Sequence, residues 1–187
     1  MKYMKIIAFI LVAWVCSAQV NAQTYACKNA KINIFSSTPL EDIDANSNKS
    51  VSLYNASTGE LAFSLPIRSL IFQKSLMREH FNESYMESSK FPQATFKGRT
   101  QEKIDLSKNG TYSVNVAGVL EVHGVKQNRT LPGKIIVDNG NISMSSTFNV
   151  LCKDHNIEIP QLVFQKIAES IRVEVSASYT AYSANNK

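Results

Sequence analysis

Three long segments of the chain alternate between apolar and polar residues with a period of two. They are GTYSVNVAGVLEVHG (110–124), NISMSSTFNVLC (141–152) and SIRVEVSASYTAY (170–182). Successive side chains of a β-strand point to opposite faces, so this pattern predicts strands with one dry face and one wet face. The first segment exceeds the ~5–6 residues of an ordinary strand and predicts a long barrel strand or a bent hairpin, with Gly118 at the bend.

Shorter strands are predicted where β-branched and aromatic residues are bounded by turn signals. They cover residues 31–35, 50–54, 60–67, 94–99 and 133–137. Together with the long segments this gives about eight strands, all compatible with antiparallel hairpins. An open sheet of this size would expose its edges and its dry face, so we expect an all-β, eight-stranded antiparallel barrel. Such a barrel holds either its own side chains or one small ligand, and the alternation does not choose between them.

Two segments depart from the strand pattern and predict one or two short helices. From Ser75 to Ser88 the spacing is helical, and Pro92 ends the helix before a strand resumes. A second helix is predicted from Pro160 to Ser170, because proline suits the first turn of a helix. In a barrel, such helices cap a mouth or cover a side. The stripe expected to face inward on the first helix consists of Leu76, Met77, His80, Phe81, Ser84 and Tyr85.

Residues 1–22 are predicted to be a secretory signal peptide. Two lysines precede an apolar run of about 11 residues, from Ile6 to Cys16, and small residues follow it. The run is shorter than the ~20 residues that a bilayer-spanning helix needs. We expect cleavage after Ala22, with Ala18 as the alternative. Residues 23–187 would then form one exported domain without a transmembrane segment.

The charge of the chain argues against a nucleic-acid partner. The formal net charge of +5 includes Lys2 and Lys5, and their loss leaves 18 basic against 15 acidic residues, a net charge of +3. The remaining basic residues are scattered, whereas nucleic-acid binding requires a basic patch. An apolar fraction of 44% indicates a globular chain. No motif sets the oligomeric state, so a homodimer stays open.

The exported chain keeps two cysteines, Cys27 and Cys152. In an oxidising compartment they could form a disulfide that closes a loop of about 125 residues, worth roughly 4–5 kcal/mol in the chain-entropy picture. The alternative is two separate thiols. Neither cysteine has the neighbouring ligands of a zinc site, and no metal is expected.

The stretch LMREHFNESYMESSKFPQATFKG (76–98) closely resembles the signature of the YceI-like family. The resemblance implies a lipocalin-like barrel in the bacterial cell envelope, periplasmic or secreted, that takes up a polyisoprenoid or another long amphiphilic lipid and needs no cofactor. It covers nearly the whole exported chain in the expected order. The other matching stretches are INIFSSTPLEDIDA (32–45), TGELAFSLPIRSLIF (58–72), GVLEVHGV (118–125), FNVLCKDHNIEIP (148–160) and KIAESIRVEVSASY (166–179).

A dry barrel interior would bind such a lipid without any reactive group. Each buried CH2 contributes roughly 0.8 kcal/mol, so about ten of them supply about 8 kcal/mol before ordering costs. Aromatic and methionine side chains adapt well to an irregular chain. The residues predicted to contact the ligand are Phe63, Phe72, Met77, Phe81, Tyr85, Met86, Phe96, Val114, Val116, Met144 and Phe148.

Three polar residues of the signature are candidates for contact with a lipid head group: Arg78, His80 and Asn82. Arg78 in particular suits a phosphate or a carboxylate. Glu79 and Glu83 are near enough on a helix to pair with Arg78 instead.

Two other functions are weighed against lipid binding. One is a ligand-free structural or stress-related barrel. The other is a metal-dependent enzyme built from His80, Glu83 and Glu87, or from His123 and His155. The chain has no HExxH, GxSxG or CxxC motif. The position of His123 on a polar strand face predicts a solvent-exposed side chain, so no catalytic residue is expected.

Overall fold

Strands account for most of the chain that the computed structural model describes, which comprises residues 23–37, 42–159 and 169–182. The strands are β1 (Thr24–Ser36), β2 (Ile43–Asn55), β3 (Glu60–Pro66), β4 (Ile71–Phe72), β5 (Gln93–Thr100), β6 (Gly110–Val122), β7 (Val125–Asp138), β8 (Asn141–Leu151) and β9 (Ser170–Tyr182). The predicted signal peptide lies outside the described residues. So do residues 160–168 of the second predicted helix; of its last two residues, Glu169 is not helical and Ser170 begins β9.

The helical residues are few and short. Helix α1 covers Ser75–His80 and continues directly into a π-helical turn, Phe81–Tyr85. Two 3-10 turns cover Ile67–Ser69 and Cys152–His155. The helix predicted from Ser75 to Ser88 is therefore confirmed in place but not in length or type.

The sheet closes on itself into a barrel. The described strands follow the order β1-β9-β8-β7-β6-β5-β3-β2, every pairing is antiparallel, and β2 bonds back to β1 through ten residue pairs. The short β4 adds only two pairs at the start of β2. The predicted eight-stranded antiparallel barrel is confirmed.

The two ends of the barrel are built differently. At the hairpin end, tight connections join β2 to β3 and β7 to β8, and residues 101–109 join β5 to β6. The helical end carries α1, the π-helical turn, the β6–β7 turn and the Cys152–His155 turn. The helical part of the segment 76–98 therefore lies at one end of the barrel, while its last residues form β5 of the wall.

The alternating segments place their apolar residues inside as predicted. On β6, Val114, Val116 and Leu120 are buried, while Ser113 and Asn115, on either side of Val114, are exposed. The segment 110–124 is one strand and its turn, so the bent-hairpin alternative was wrong. Burial of the apolar face of each strand drives closure, because only a closed sheet removes all these faces from water.

Strand β7 is longer than predicted. It begins at Val125 rather than Gly133 and bonds to β6 through thirteen residue pairs. Pro132 lies inside this strand. Its carbonyl oxygen points toward β8 and accepts a hydrogen bond from Ser146 Oγ at 2.6 Å. The missing N–H of the proline therefore falls on the same edge, where β7 forms no ladder with β8.

Gly118 is required by a close approach of two strands. It lies opposite Gly98 of β5, and a Cβ at Gly118 would overlap the carbonyl oxygen of Lys97 and lie 2.5 Å from the Cα of Gly98. Both obstacles are backbone atoms, which cannot rotate away.

We expect Gly118→Ala to lower the free energy of unfolding by about 1–3 kcal/mol, because the β5–β6 ladder must shift to admit the methyl group. Urea denaturation measures the change. Gly110→Ala is the matched control on the same strand, since the nearest atoms to its Cβ would be those of the Tyr112 side chain, at 3.6 Å or more. Equal stability of the two variants would contradict the assigned role of Gly118.

Candidate functional site

An apolar cavity of about 190 Å³ occupies the interior of the barrel. Its wall runs from Cys152 and Ile157 at the helical end to Tyr54 and Tyr179 at the hairpin end. An apolar protein cavity of about 150 Å³ stays dry and takes up apolar molecules. An apolar wall that extends between the two ends of the barrel is suited to a hydrocarbon chain.

Most of the residues predicted to contact a ligand lie in the wall of this cavity. They come from four strands and from the segment that covers the helical end. The eight residues are Phe63, Phe81, Met86, Phe96, Val114, Val116, Met144 and Phe148.

Phe72, Met77 and Tyr85 lie outside the wall. Phe72 is buried in β4 and packs on Phe81, with ring centroids 4.9 Å apart. Met77 packs against the core from α1, and Tyr85 is partly buried at the end of the π-helical turn. The predicted stripe assumed regular α-helical spacing to Tyr85, whereas the wider π-helical turn changes which residues face inward after His80.

The sequence prediction overlooked the aliphatic part of the wall. The period-two pattern places Leu120, Val173 and Val175 on the inward face, but aromatic residues and methionines were favoured as ligand contacts. The missed residues also include Ile32, Ile34, Leu61, Leu65, Leu131, Ile135 and Val150.

Hydroxyl groups form a small cluster at the hairpin end of the cavity. Ser52 Oγ donates to the carbonyl oxygen of Ala62 at 2.9 Å, so the Tyr179 hydroxyl donates to Ser52 Oγ at 2.6 Å. The Tyr54 ring meets the Tyr179 ring edge-on, with centroids 6.5 Å apart, and its hydroxyl bonds to Thr100. Burial raises the pKa of Tyr179 to about 12. These hydroxyls satisfy one another within the wall.

The three candidates for head-group contact do not line the cavity. Arg78 and His80 are exposed on α1. Asn82 Nδ2 donates to the carbonyl oxygen of Arg78 at 2.8 Å, which satisfies a backbone group at the end of that helix. The geometry does not bring these three side chains together around a polar site in the barrel.

His123 joins three segments of the helical end. Its Nδ1 lies 3.1 Å from the carbonyl oxygen of His155, and its Nε2 lies 2.9 Å from Glu87 Oε2. Both partners are acceptors, so the arrangement is fully bonded when both ring nitrogens carry protons. The Phe91 ring packs edge-on against the imidazole, with centroids 4.5 Å apart. The prediction of a solvent-exposed His123 was wrong, because its side chain is only 10% exposed.

The two cysteines are free, buried thiols, so the disulfide considered from the sequence is absent from the structure. Cys27 lies in β1 at the hairpin end, near the level of Ile142, whereas Cys152 follows β8 at the helical end. About ten residues of extended strand separate those levels, or about 30 Å. A disulfide requires Cα atoms within about 7 Å. Burial, with a smaller contribution from Glu169, raises the pKa of the Cys152 thiol and favours its protonated form.

The described residues include no cluster of three or more His, Cys, Asp or Glu side chains that could hold a metal ion. His80 lies exposed on α1, apart from the His123–His155 contact. Within the same part of the chain, no helix is long and apolar enough to cross a membrane.

The closed antiparallel barrel around an apolar lumen defines a lipocalin-like fold. The chain belongs to the YceI-like family, whose domain model matches residues 23–179. A comparison with curated proteins finds no match.

Solved structures with the same fold share little sequence with this chain. A polyisoprenoid-binding domain from Saccharophagus degradans, implicated in plant cell wall breakdown, has a TM-score of 0.73 at 15% identity and covers 84% of this chain and 98% of its own. BcnA from Burkholderia cenocepacia has a TM-score of 0.69 at 13% identity, with coverages of 81% and 96%. The YceI protein of Campylobacter jejuni has a TM-score of 0.54 at 15% identity, with coverages of 70% and 78%.

We expect the raised pKa of Tyr179 to make the protein sensitive to alkali. An unfolded tyrosine ionises near pH 10 and the folded Tyr179 near 12. Its contribution to the free energy of unfolding is therefore complete below pH 10 and is lost as pH rises to about 12, a decline of roughly 2–3 kcal/mol. Tyr179→Phe should show a smaller decline over this interval in urea titrations.

Tyr182→Phe is the control for this titration, because Tyr182 lies on the same strand and is 52% exposed. It should keep the decline of the wild type. A decline of the same size in Tyr179→Phe would show that Tyr179 is not the buried group responsible.

We expect His123 and Glu87 to be energetically coupled. A double-mutant cycle with His123→Ala and Glu87→Ala should give a coupling free energy of about 1 kcal/mol, which reflects a hydrogen-bonded pair with one partly exposed partner. Glu83→Ala serves as the control, since Glu83 is an exposed carboxylate on the π-helical turn, four residues before Glu87. Coupling to Glu83 as large as that to Glu87 would contradict a direct contact.

Proposed function

We propose that the protein binds a long amphiphilic lipid, of the polyisoprenoid or fatty-acyl type, inside its barrel and carries or sequesters it in the cell envelope. The observation that carries the proposal is the apolar cavity that extends between the two ends of the barrel. A lipid chain in this space would be shielded from water by the inward faces of the barrel strands. Binding of this kind needs no cofactor and no catalytic group.

The energetics favour a chain of moderate length. Each buried CH2 contributes roughly 0.8 kcal/mol, so about ten groups supply about 8 kcal/mol before the costs of ordering and association. The wall residues Phe81, Met86, Met144 and Phe148 are aromatic or flexible and can adapt to the chain. The net affinity then depends on how completely the lumen excludes water from the whole length of the lipid chain.

The comparisons support the proposal through the fold. The Saccharophagus degradans domain with the same fold is described as polyisoprenoid-binding. The family match begins at residue 23, directly after the predicted cleavage site, and this agrees with an exported domain in the periplasm or outside the cell. A ligand-free structural barrel would be expected to fill its interior with its own side chains, so the cavity favours the binding function over that alternative.

Organic extraction of protein purified from its own host, followed by mass spectrometry, tests the proposal. We expect a stoichiometric isoprenoid or fatty-acyl species. Repeated recovery of protein without lipid, together with failure to take up added lipid, would exclude the carrier function and favour a structural barrel.

We expect Phe81→Arg to reduce lipid retention at least tenfold, because it places a charge in the wall at the helical end, where desolvation is costly. Quantitative mass spectrometry of extracts from equal amounts of protein measures retention. Leu76→Arg is the control, since Leu76 belongs to the neighbouring α1 but is 60% exposed. Equal retention by the two variants would argue against ligand contact at Phe81, provided that both melt as cooperatively as the wild type.

A further inference from the structure

The barrel wall is incompletely bonded between β7 and β8. Their ladder contains only five pairs, from Lys134–Ser145 to Asp138–Asn141, whereas β8 and β9 share ten. We call the unladdered part, residues 125–133 of β7 and 146–151 of β8, the seam. It runs from the middle of the barrel to the helical end.

Side chains bridge the seam where backbone bonds are missing. Ser146 Oγ donates to the carbonyl oxygen of Pro132 at 2.6 Å, and Arg129 Nη2 donates to that of Asn149 at 2.9 Å. Gln127 Nε2 donates to the carbonyl oxygen of Asp154 at 2.8 Å. Pro132 and Ser146 also line the cavity, so the lumen extends to the seam.

Arg129 lies at the seam beside residues that line the cavity, although it does not itself belong to the cavity wall. Alternation along β7 puts it on the same inward face as Leu131, which lines the cavity two residues away, and its side chain is only partly exposed. Its bonding partner Asn149 lies between Phe148 and Val150, which both line the cavity from β8. The guanidinium group is therefore held at the border between the lumen and the surface.

The charge of Arg129 is not matched within the described residues, where no carboxylate pairs with it. Its described hydrogen bond goes to a neutral carbonyl, whereas a guanidinium has five N–H donors. A partly buried charge is stabilised by an anionic partner, and the planar fork of arginine fits carboxylate and phosphate oxygens. An anion at this position could accept two further hydrogen bonds from the guanidinium.

We propose that Arg129 binds the anionic head group of the lipid, a carboxylate or a phosphate, at the seam, while the hydrocarbon chain lies in the cavity. This inference rests on the proposed lipid-binding function and names the chemical class of the ligand. It assigns the head group to the seam rather than to the exposed Arg78 of α1. Arg129 thus selects acidic amphiphiles over neutral ones of equal length.

A comparison of oleate with oleyl alcohol tests the inference, since the two share a chain and differ in head-group charge. Displacement of the neutral fluorescent probe diphenylhexatriene from the purified full-length protein, at pH 8 and below the critical micelle concentration, gives both affinities. We expect the wild type to prefer oleate by about tenfold and Arg129→Gln to prefer it by less than twofold, with affinity for the alcohol unchanged. Acetate at the same concentration should displace no probe, because it lacks the chain.

Two further variants separate the head-group role from a structural one. Arg78→Gln, which removes the other candidate arginine, should keep the tenfold preference. Arg129→Lys keeps the charge without the planar fork and should retain part of the preference.

Each alternative outcome has a separate meaning. Equal affinity of the wild type for oleate and oleyl alcohol would overturn the role of Arg129 and leave lipid binding intact. An equal loss of both ligands in Arg129→Gln would also overturn it, because the arginine would then only close the seam. If the wild type bound neither oleate, nor oleyl alcohol, nor the probe, that result would instead overturn the proposed function.

Discussion

Closure of the sheet through the β1–β2 ladder is the constraint on which the rest of the structure depends. Most residues on the inward faces of the barrel are apolar, although β2 also buries Ser47, Ser50 and Ser52. An open sheet would expose those faces and two unpaired edges to water. The ten β1–β2 pairs remove that exposure and create an enclosed interior. Because eight strands leave an interior only just wide enough for side chains or one slender ligand, the cavity follows from closure together with the sizes of the residues that line it.

The seam shows that closure need not be complete to be stable. Where β7 and β8 separate, the exposed carbonyl oxygens of Pro132 and Asn149 accept hydrogen bonds from side chains instead of from backbone N–H groups. A side-chain bond satisfies the carbonyl group but fixes the strands less rigidly than a ladder does, because each bond depends on one flexible side chain. The backbone along the seam is therefore held less rigidly than the laddered part of β7 and β8.

The alternation of apolar and polar residues was sufficient to predict the barrel from sequence. It failed for side chains whose positions are set by tertiary contacts. Alternation is a property of neighbouring residues, so β6, β8 and β9 could be assigned directly. The position of Tyr85 outside the cavity wall could not be predicted, because the change from α-helical to π-helical geometry after His80 has no simple sequence signal. The environment of His123 depends on Glu87 and His155, which lie about 30 residues away in either direction. The separation of Cys27 from Cys152 likewise follows only from the order of the strands. That Pro132 can lie within a strand follows only from the way β7 pairs with its neighbours.

The polar groups at the two ends of the cavity favour one orientation for an amphiphilic ligand. At the hairpin end, Tyr179 and Ser52 already donate their protons within the wall, and burial holds Tyr179 in its neutral form. An anion placed there would meet no free donor and no positive charge among these hydroxyls, and would bear the full cost of desolvation. The seam, in contrast, offers the guanidinium of Arg129 near the surface. The hydrocarbon tail should therefore point toward Tyr54 and Tyr179, with the charged head group at the seam in the helical half of the barrel.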